Sequence, residues 1–436
     1  MKELLKESSK KIINEVMKSN QRKEIIVYSD FEENEEPKIM GHLFSESIRG
    51  SEVFSFEYNE DWLKSSCFIQ IDPGLRLYKG KQFQNNKSNF GVFLDSSPDR
   101  WGRVLMKRRE AIIAREEKRE ERRLNESDFL LGVYDKHRMG ALRFKETIDG
   151  DFQNNDEKFS TPPWTSLRDL EYASIQLERD EHSTDKEYLQ WINMLIAPGS
   201  SLGGARPKAS VLGEDGLWIA KFPSKYDEFD YGAWEMVAYE LAKNCGINMS
   251  ISKIQKFTSK HNTFITKRFD RLNNNRRLHF ASAMTLLGYS DGMDSNDGIS
   301  YLELAEFIMQ NGANVKEDLE QLWRRIVFSI AIHNTDDHLR NHGFILSNQG
   351  WRLSPAYDLN PNPTGSGLKL NISETDNSLN FDLAMEVIPY FRIEEKKAIE
   401  IITKIKEEVS KWRNIANKIN ISNSEQDRMQ SAFSLN

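Results

Sequence analysis

Cysteine is nearly absent: the 436 residues hold two, Cys67 and Cys245. They stand far apart in sequence and without metal-ligand company, which argues against a disulfide framework and for core thiols in a reducing, cytoplasmic compartment. No secretory leader pattern opens the chain, and no apolar run approaches the length of a membrane span. A surplus of positive charge is missing too. Basic residues number 60 against 67 acidic ones, a formal net charge of −7, which disfavours broad nucleic-acid or membrane-surface binding by the chain itself. There is no internal repeat and no long low-complexity tract. What remains is ordinary globular material, with 38% apolar and 11% aromatic residues, enough for buried cores. The length suits two or three domains.

Residues 2–18 space Leu4, Leu5, Ile12, Ile13 and Val16 on one helical face, predicting a helical extension over 1–23. Short strands are then expected at EIIVY from Glu24, at Val53–Tyr58 and at Phe68–Ile71. A turn at Ser97-Pro98 precedes a helix running to Glu110 and onward through Arg123, whose alternating charges read as a solvated, ion-paired face. One more strand is expected at Gly140–Glu146, and the Asp, Asn, Thr and Pro residues of 149–163 read as a linker.

The most informative stretch is Ile332–Asp358, IHNTDDHLRNHGFILSNQGWRLSPAYD. A polar loop follows an apolar helix; two strand-like runs, Gly343–Leu346 and Trp351–Leu353, flank a turn; a carboxylate closes the stretch. Phosphoryl transfer from ATP needs a carboxylate to orient the attacking hydroxyl and oxygen ligands for Mg²⁺. Asp336 and Asn341 have the base-to-ligand spacing of a kinase catalytic loop, and Asp358 arrives where the second metal ligand belongs. His338 and Asp337 flank the base and are read as structural. His333 and His342 match no hydrolase ligand pattern.

Upstream, GSSLGGARPKA runs from Gly199 to Ala209. The backbone N–H groups of Ser201, Leu202, Gly203 and Gly204 could close on phosphate oxygens. The spacing is not that of a Walker loop, and a strand follows instead of a helix. Ala209–Leu212 and Leu217–Phe222 read as a hairpin with Lys221 near its end, suited to hold the α- and β-phosphates. A helix at Tyr231–Asn244 offers Glu235, or else Glu240, as the carboxylate that pairs with Lys221. The strand Thr263–Arg271 stands where a kinase chain crosses between lobes, so backbone groups of Lys267, Arg268 and Phe269 are candidates for the adenine edge. From Tyr301 onward the pattern is mostly helical, to a terminal helix at Ile393–Ala416.

GSSLGGARPKA, WIAKF, TKRFDR, NTDDHLRN and SPAYD, in that order, resemble the HipA family of bacterial serine/threonine kinases, toxins of type II toxin–antitoxin modules. VFSFEYNEDWL, FLDSSPDRWGR and GALRF resemble that family's first subdomain, so the likeness covers most of the chain after about residue 24. The resemblance implies an α+β, protein-kinase-like bilobal fold: a strand-rich first subdomain at 24–160, an α/β amino-terminal lobe at 161–271 and an all-helical carboxy-terminal lobe at 272–436. It implies Mg²⁺ and ATP, a protein acceptor such as an aminoacyl-tRNA synthetase, and a small helix-turn-helix antitoxin through which DNA is met only indirectly, with no membrane. Ser201 fills the place of the family's autophosphorylated loop serine, with Ser200 beside it. Arg206 departs from the family's usual glutamine.

Two alternatives share features of this pattern. A small-molecule kinase of the aminoglycoside or choline type has the same Asp-to-Asn spacing, and a weakly catalytic corepressor scaffold would need only the antitoxin. The kinase reading expects Lys221→Ala to lose activity with little change in melting temperature.

Overall fold

The computed structural model describes residues 22–31, 36–65, 70–84, 87–156, 162–179, 189, 191–193, 195, 206–272 and 276–435. The expected helix before residue 22, Cys67, Phe68, Ile69 and the loop serines and glycines Ser200, Ser201, Leu202, Gly203 and Gly204 lie outside the described residues.

A first subdomain is built on an antiparallel sheet of β1 (Lys23–Ser29), β2 (Lys38–Ile48), β3 (Ser51–Tyr58), β4 (Gln82–Phe83) and β5 (Leu142–Lys145), in the order β4-β3-β2-β1-β5. β1 carries the β-branched run Ile25, Ile26 and Val27, all buried, as a strand covered on both faces should. β2 has no clean alternation and was not expected. It holds Gly41 where the chain passes so close to the Glu57 carbonyl and the Phe56 ring that a side chain has no room. The expected strand at Phe68–Ile71 fails at its described end: Gln70 and Ile71 are not in a strand, and Ile71 is a core residue.

α1 (Arg100–Glu116) starts at its N-cap Asp99 but stops short of the expected Arg123. The buried carboxylate of Glu110 draws the chain back on itself: Arg119 Nη1 reaches it at 2.6 Å and the Arg122 backbone N–H at 3.0 Å. Those bonds need a reversal, made at Lys118 with φ 53°. The apolar face of α1 packs with α2 (Leu167–Arg179) on the second sheet.

That sheet holds β6 (Lys208–Gly213), β7 (Gly216–Lys221), β8 (Ser252–Gln255) and β9 (Thr263–Lys267) in the order β6-β7-β9-β8. α3 (Tyr231–Asn244) lies against it, capped by Asp230, whose Oδ1 accepts from Ala233 N–H at 3.0 Å. β9 ends four residues before the expected Arg271. Arg268 turns inward there to bond Asp270 at 2.6 and 2.8 Å, and both side chains are fully buried.

The carboxy-terminal lobe is helical, with α4 (Tyr301–Asn311), α5 (Val315–Ala331), α6 (Glu395–Val409) and α7 (Trp412–Lys418), but it is not all helix. β10 (Phe280–Ser282) adds a third strand to the expected hairpin of β11 (Gly343–Ser347) and β12 (Gly350–Leu353). Two cores result. One joins the first subdomain to α3 and the carboxy-terminal lobe, and the other joins α1 and α2 to the second sheet. The first subdomain therefore packs on both lobes. Among the described residues, no helix is long and apolar enough to cross a membrane.

Candidate active site

At the head of the interlobe cleft, Lys221 at the end of β7 lies between two carboxylates. Its Nζ is 2.5 Å from Glu235 on α3 and 2.7 Å from Asp358. Of the two glutamates offered by α3, Glu235 is thus the partner. Asp358 sits at φ 60°, a left-handed conformation that a non-glycine residue adopts only when its surroundings impose it. Burial works against all three charges. The paired carboxylates outweigh it and hold the ammonium above its usual range. Against the same cost, the Lys221 charge holds Asp358 well below the usual carboxylate range. Glu235 is pushed up, burial exceeding what Lys221 returns.

Asp336 and Asn341 line the same cleft, about 720 Å³ in volume, as Lys221, Glu235 and Asp358. Asp336 is exposed, with its carboxylate open to an acceptor. Its loop follows α5 through His333, held at φ 49°, and closes on itself. His338 N–H donates to the Asp336 carbonyl at 3.0 Å, and the Asn341 side-chain amide donates to that carbonyl at 3.1 Å. The loop is pinned from below by buried Asp337, which accepts from the Tyr301 hydroxyl at 2.7 Å and lies 3.1 Å from His342 Nε2.

Several hydrogen bonds fasten this loop to the segment that carries Asp358, among them Asn362 N–H to the His333 carbonyl at 3.2 Å. Asn334 Oδ1 accepts from Asn360 N–H at 3.3 Å, Asn362 Nδ2 donates to Thr335 Oγ1 at 2.7 Å, and the Tyr357 hydroxyl donates to the Arg340 carbonyl at 2.7 Å. Asp336 and Asp358 are thereby set by one hydrogen-bonded unit. Apart from His333, none of these partners was singled out from the sequence, where only the run of asparagines in DLNPNP hints at them.

Buried Asn341 Oδ1 has no hydrogen-bond partner among the described residues, since the other end of the amide is spent on Asp336. An orphaned amide oxygen and a carboxylate that stays ionised are the hard oxygen donors Mg²⁺ prefers. The chemistry of Asn341 and Asp358 thus fits that ion. Among the described residues, no group of three or more His, Cys, Asp or Glu is placed to hold a metal, so His333 and His342 do not join Asp336 in a cluster.

The crossing segment differs from its expected form. Lys267 N–H donates to the Ile251 carbonyl at 2.8 Å and Arg268 N–H to the Leu217 carbonyl at 2.9 Å, so both amides are committed to the sheet. The Lys267 ammonium turns to Asp215 at 3.0 Å. Phe269 instead stacks on Tyr357, ring centroids 5.7 Å apart, beside an apolar recess that Ile219, Phe264 and Leu359 also line and that opens at Lys221 and Asp358. His338 borders Asp336 on a second groove with Arg340 and Lys369. Arg206 is taken: its guanidinium pairs with Asp227 and lies 4.5 Å over the Tyr231 ring.

The profile of the HipA-like C-terminal domain family matches residues 200–413. A Haemophilus influenzae protein named "Putative kinase" is 28% identical over 180 residues, 37% of this chain and 52% of that protein. The serine/threonine-protein kinase toxin HipA of Shewanella oneidensis is 24% identical over 225 residues, 45% of this chain and 50% of that protein. The chain thus spans about half the length of these curated relatives. In three dimensions it is similar to a chain of the Shewanella oneidensis MR-1 complex of HipA, HipB and operator DNA. The TM-score is 0.63 at 18% identity, over 94% of this chain and 95% of that one, which places both in the same kinase-like α+β fold.

Proposed function

We propose that the chain, whose residues 200–413 match the profile of the HipA-like C-terminal domain family, is an ATP- and Mg²⁺-dependent serine/threonine protein kinase. The observation that carries this is the Lys221 ammonium bridging Glu235 and Asp358 at the head of a cleft that Asp336 and Asn341 line. Asp336 orients the acceptor hydroxyl and takes its proton. Lys221 neutralises the phosphates that stay behind. Asn341 and Asp358 hold Mg²⁺, which when bound supplies charge neutralisation across the phosphates. The backbone of Ser201–Gly204, outside the described residues, is assigned to the γ-phosphate by the sequence reading alone. The crossing segment meets the purine edge with backbone groups left over from the sheet, not with the Arg268 side chain.

Autophosphorylation of Ser201, or of Ser200, would place a charge of about −1.5 to −2 beside the triphosphate and expel the loop. The acceptor is a protein hydroxyl, with aminoacyl-tRNA synthetases as the class to try first. A small helix-turn-helix antitoxin is the proposed partner, and a formal net charge of −7 favours meeting DNA through it rather than directly. The test is acceptor class. Purified chain with γ-labelled ATP and Mg²⁺ should label protein acceptors and leave kanamycin and choline unlabelled. Preferential labelling of either small molecule would transfer the chain to the small-molecule kinases.

A further inference from the structure

One charge in the cleft is governed from outside the two lobes. Lys208 on β6 is the ladder partner of Lys221 on β7. Directly opposed residues in an antiparallel pair send their side chains to the same face of the sheet, and both lysines line the cleft with Asp336, Asn341 and Asp358. Lys221 is matched by Glu235 and Asp358. Lys208 Nζ lies 2.8 Å from Asp99 Oδ2, with the two side chains 3% and 4% exposed.

Asp99 belongs to the first subdomain, at the turn where it meets both lobes. Its carboxylate does two separate jobs. Oδ1 accepts from Gly102 N–H at 2.9 Å and caps α1, which leaves Oδ2 for Lys208. Burial pushes this carboxyl up, and the charges of Lys208 and of Arg340, from the catalytic loop, pull it back. The Lys208 charge in turn helps keep Asp358 ionised. Asp99 is therefore electrostatically tied to the phosphate face of the sheet and to the loop of the base.

We propose that Lys208 is a second phosphate-contacting cation of the nucleotide cleft and that Asp99 is its positioning residue, making the first subdomain part of the nucleotide site. The proposal rests on the kinase reading above. It assigns the Ser97-Pro98-Asp99 turn a task beyond starting a helix, namely to hold one cation in place on the wall of the cleft.

The test is a double-mutant cycle in the full chain, K208M, D99N and D99N/K208M, read as Mg-ATP affinity by calorimetry and as KM and kcat for ATP. Asparagine caps a helix as well as aspartate does, so D99N removes the charge and keeps α1 started. K208M and D99N each leave one buried partner unpaired and are the variants at risk of unfolding; the double variant removes both charges and avoids this. K208M and D99N should each weaken Mg-ATP binding about tenfold or more, as expected for a lost charge-assisted contact. D99N should raise KM more than it lowers kcat. The double variant should bind no worse than K208M. Wild-type affinity in D99N or in the double variant overturns the proposal, as does a double loss equal to the product of the single ones. If the unaltered chain binds no Mg-ATP, the kinase reading falls and takes this inference with it; nucleotide binding with an unaffected D99N removes the inference alone.

Discussion

The side-chain amide of Asn341 donates to the backbone carbonyl of Asp336 at 3.1 Å, so the candidate metal ligand also fixes the loop of the candidate base. Asn341→Ala removes both the tie and the oxygen. Turnover of ATP should fall by about 10²-fold or more, while one lost hydrogen bond costs about 1 kcal/mol of stability. Steady-state kinetics beside a melting curve checks both. Turnover near wild type would free Asn341 from the site.

Buried Asp337 takes its hydrogen bond from Tyr301 on α4, which makes that hydroxyl a support for the neighbouring candidate base, Asp336. Tyr301→Phe keeps the ring and withdraws the donor from an ionised acceptor, a loss of about 1.5–3 kcal/mol. The melting temperature should drop. Because the loop that carries Asp336 loosens, kcat should fall while KM for ATP changes little. A variant that loses stability and keeps its kcat would make Tyr301 a fold residue only.

Lys221→Ala is expected from the sequence to spare stability, and the structure reverses that expectation. The residue is no lone lysine at a strand end; it separates two buried carboxylates, at 2.5 and 2.7 Å. Removing it leaves them facing each other, a cost on the order of 3 kcal/mol or more. Activity and melting temperature should therefore fall together. An unchanged melting temperature in Lys221→Ala would contradict the pairing itself.

His279 is 2% exposed, neither ring nitrogen has a hydrogen-bond partner among the described residues, and the rings of Phe31 and Trp351 lie 5.1 and 5.7 Å away. Burial lowers its pKa to about 3. An unfolded histidine takes its proton near pH 6.5. From about pH 6.5 down to about 3 the unfolded chain binds more protons at this site than the folded one, so stability is lost as pH falls. At pH 5.5 the loss is about 1.4 kcal/mol. His279→Phe keeps a ring and no titration, so it should lose less melting temperature than wild type between pH 7.5 and 5.5. An equal loss in both would show that His279 does not set this dependence.

The site residues visible in the sequence are those whose chemistry is spaced along the chain. Asp336 and Asn341 share one loop, Asp358 follows a hairpin marked by its turn, and Lys221 and Glu235 end and begin elements with clear periodicity. Pairings across long loops leave no such mark. Lys208 with Asp99 and Asn334 with Asn360 join residues 109 and 26 positions apart and could be seen only once the chain folded. The same limit explains the misplaced ends of α1 and β9. Local pattern continues both elements, and buried ions, Glu110 in one and Asp270 in the other, draw the following arginines inward and stop them. β2 was missed for a packing reason, because Gly41 breaks the alternation at the point of closest approach to β3.

The most direct test of phosphoryl transfer uses the chain as its own acceptor. Purified protein and Asp336→Asn are each incubated with γ-labelled ATP and Mg²⁺, label is counted, and the phosphate is mapped by mass spectrometry. Asp336 is exposed, so the variant should melt as the wild type does, and a positioned base is worth at least about 10²-fold. The kinase assignment predicts phosphate on Ser201 or Ser200 of the active chain and essentially none on Asp336→Asn. Equal labelling of the two proteins, or a chain that binds ATP yet transfers no phosphate, would contradict it.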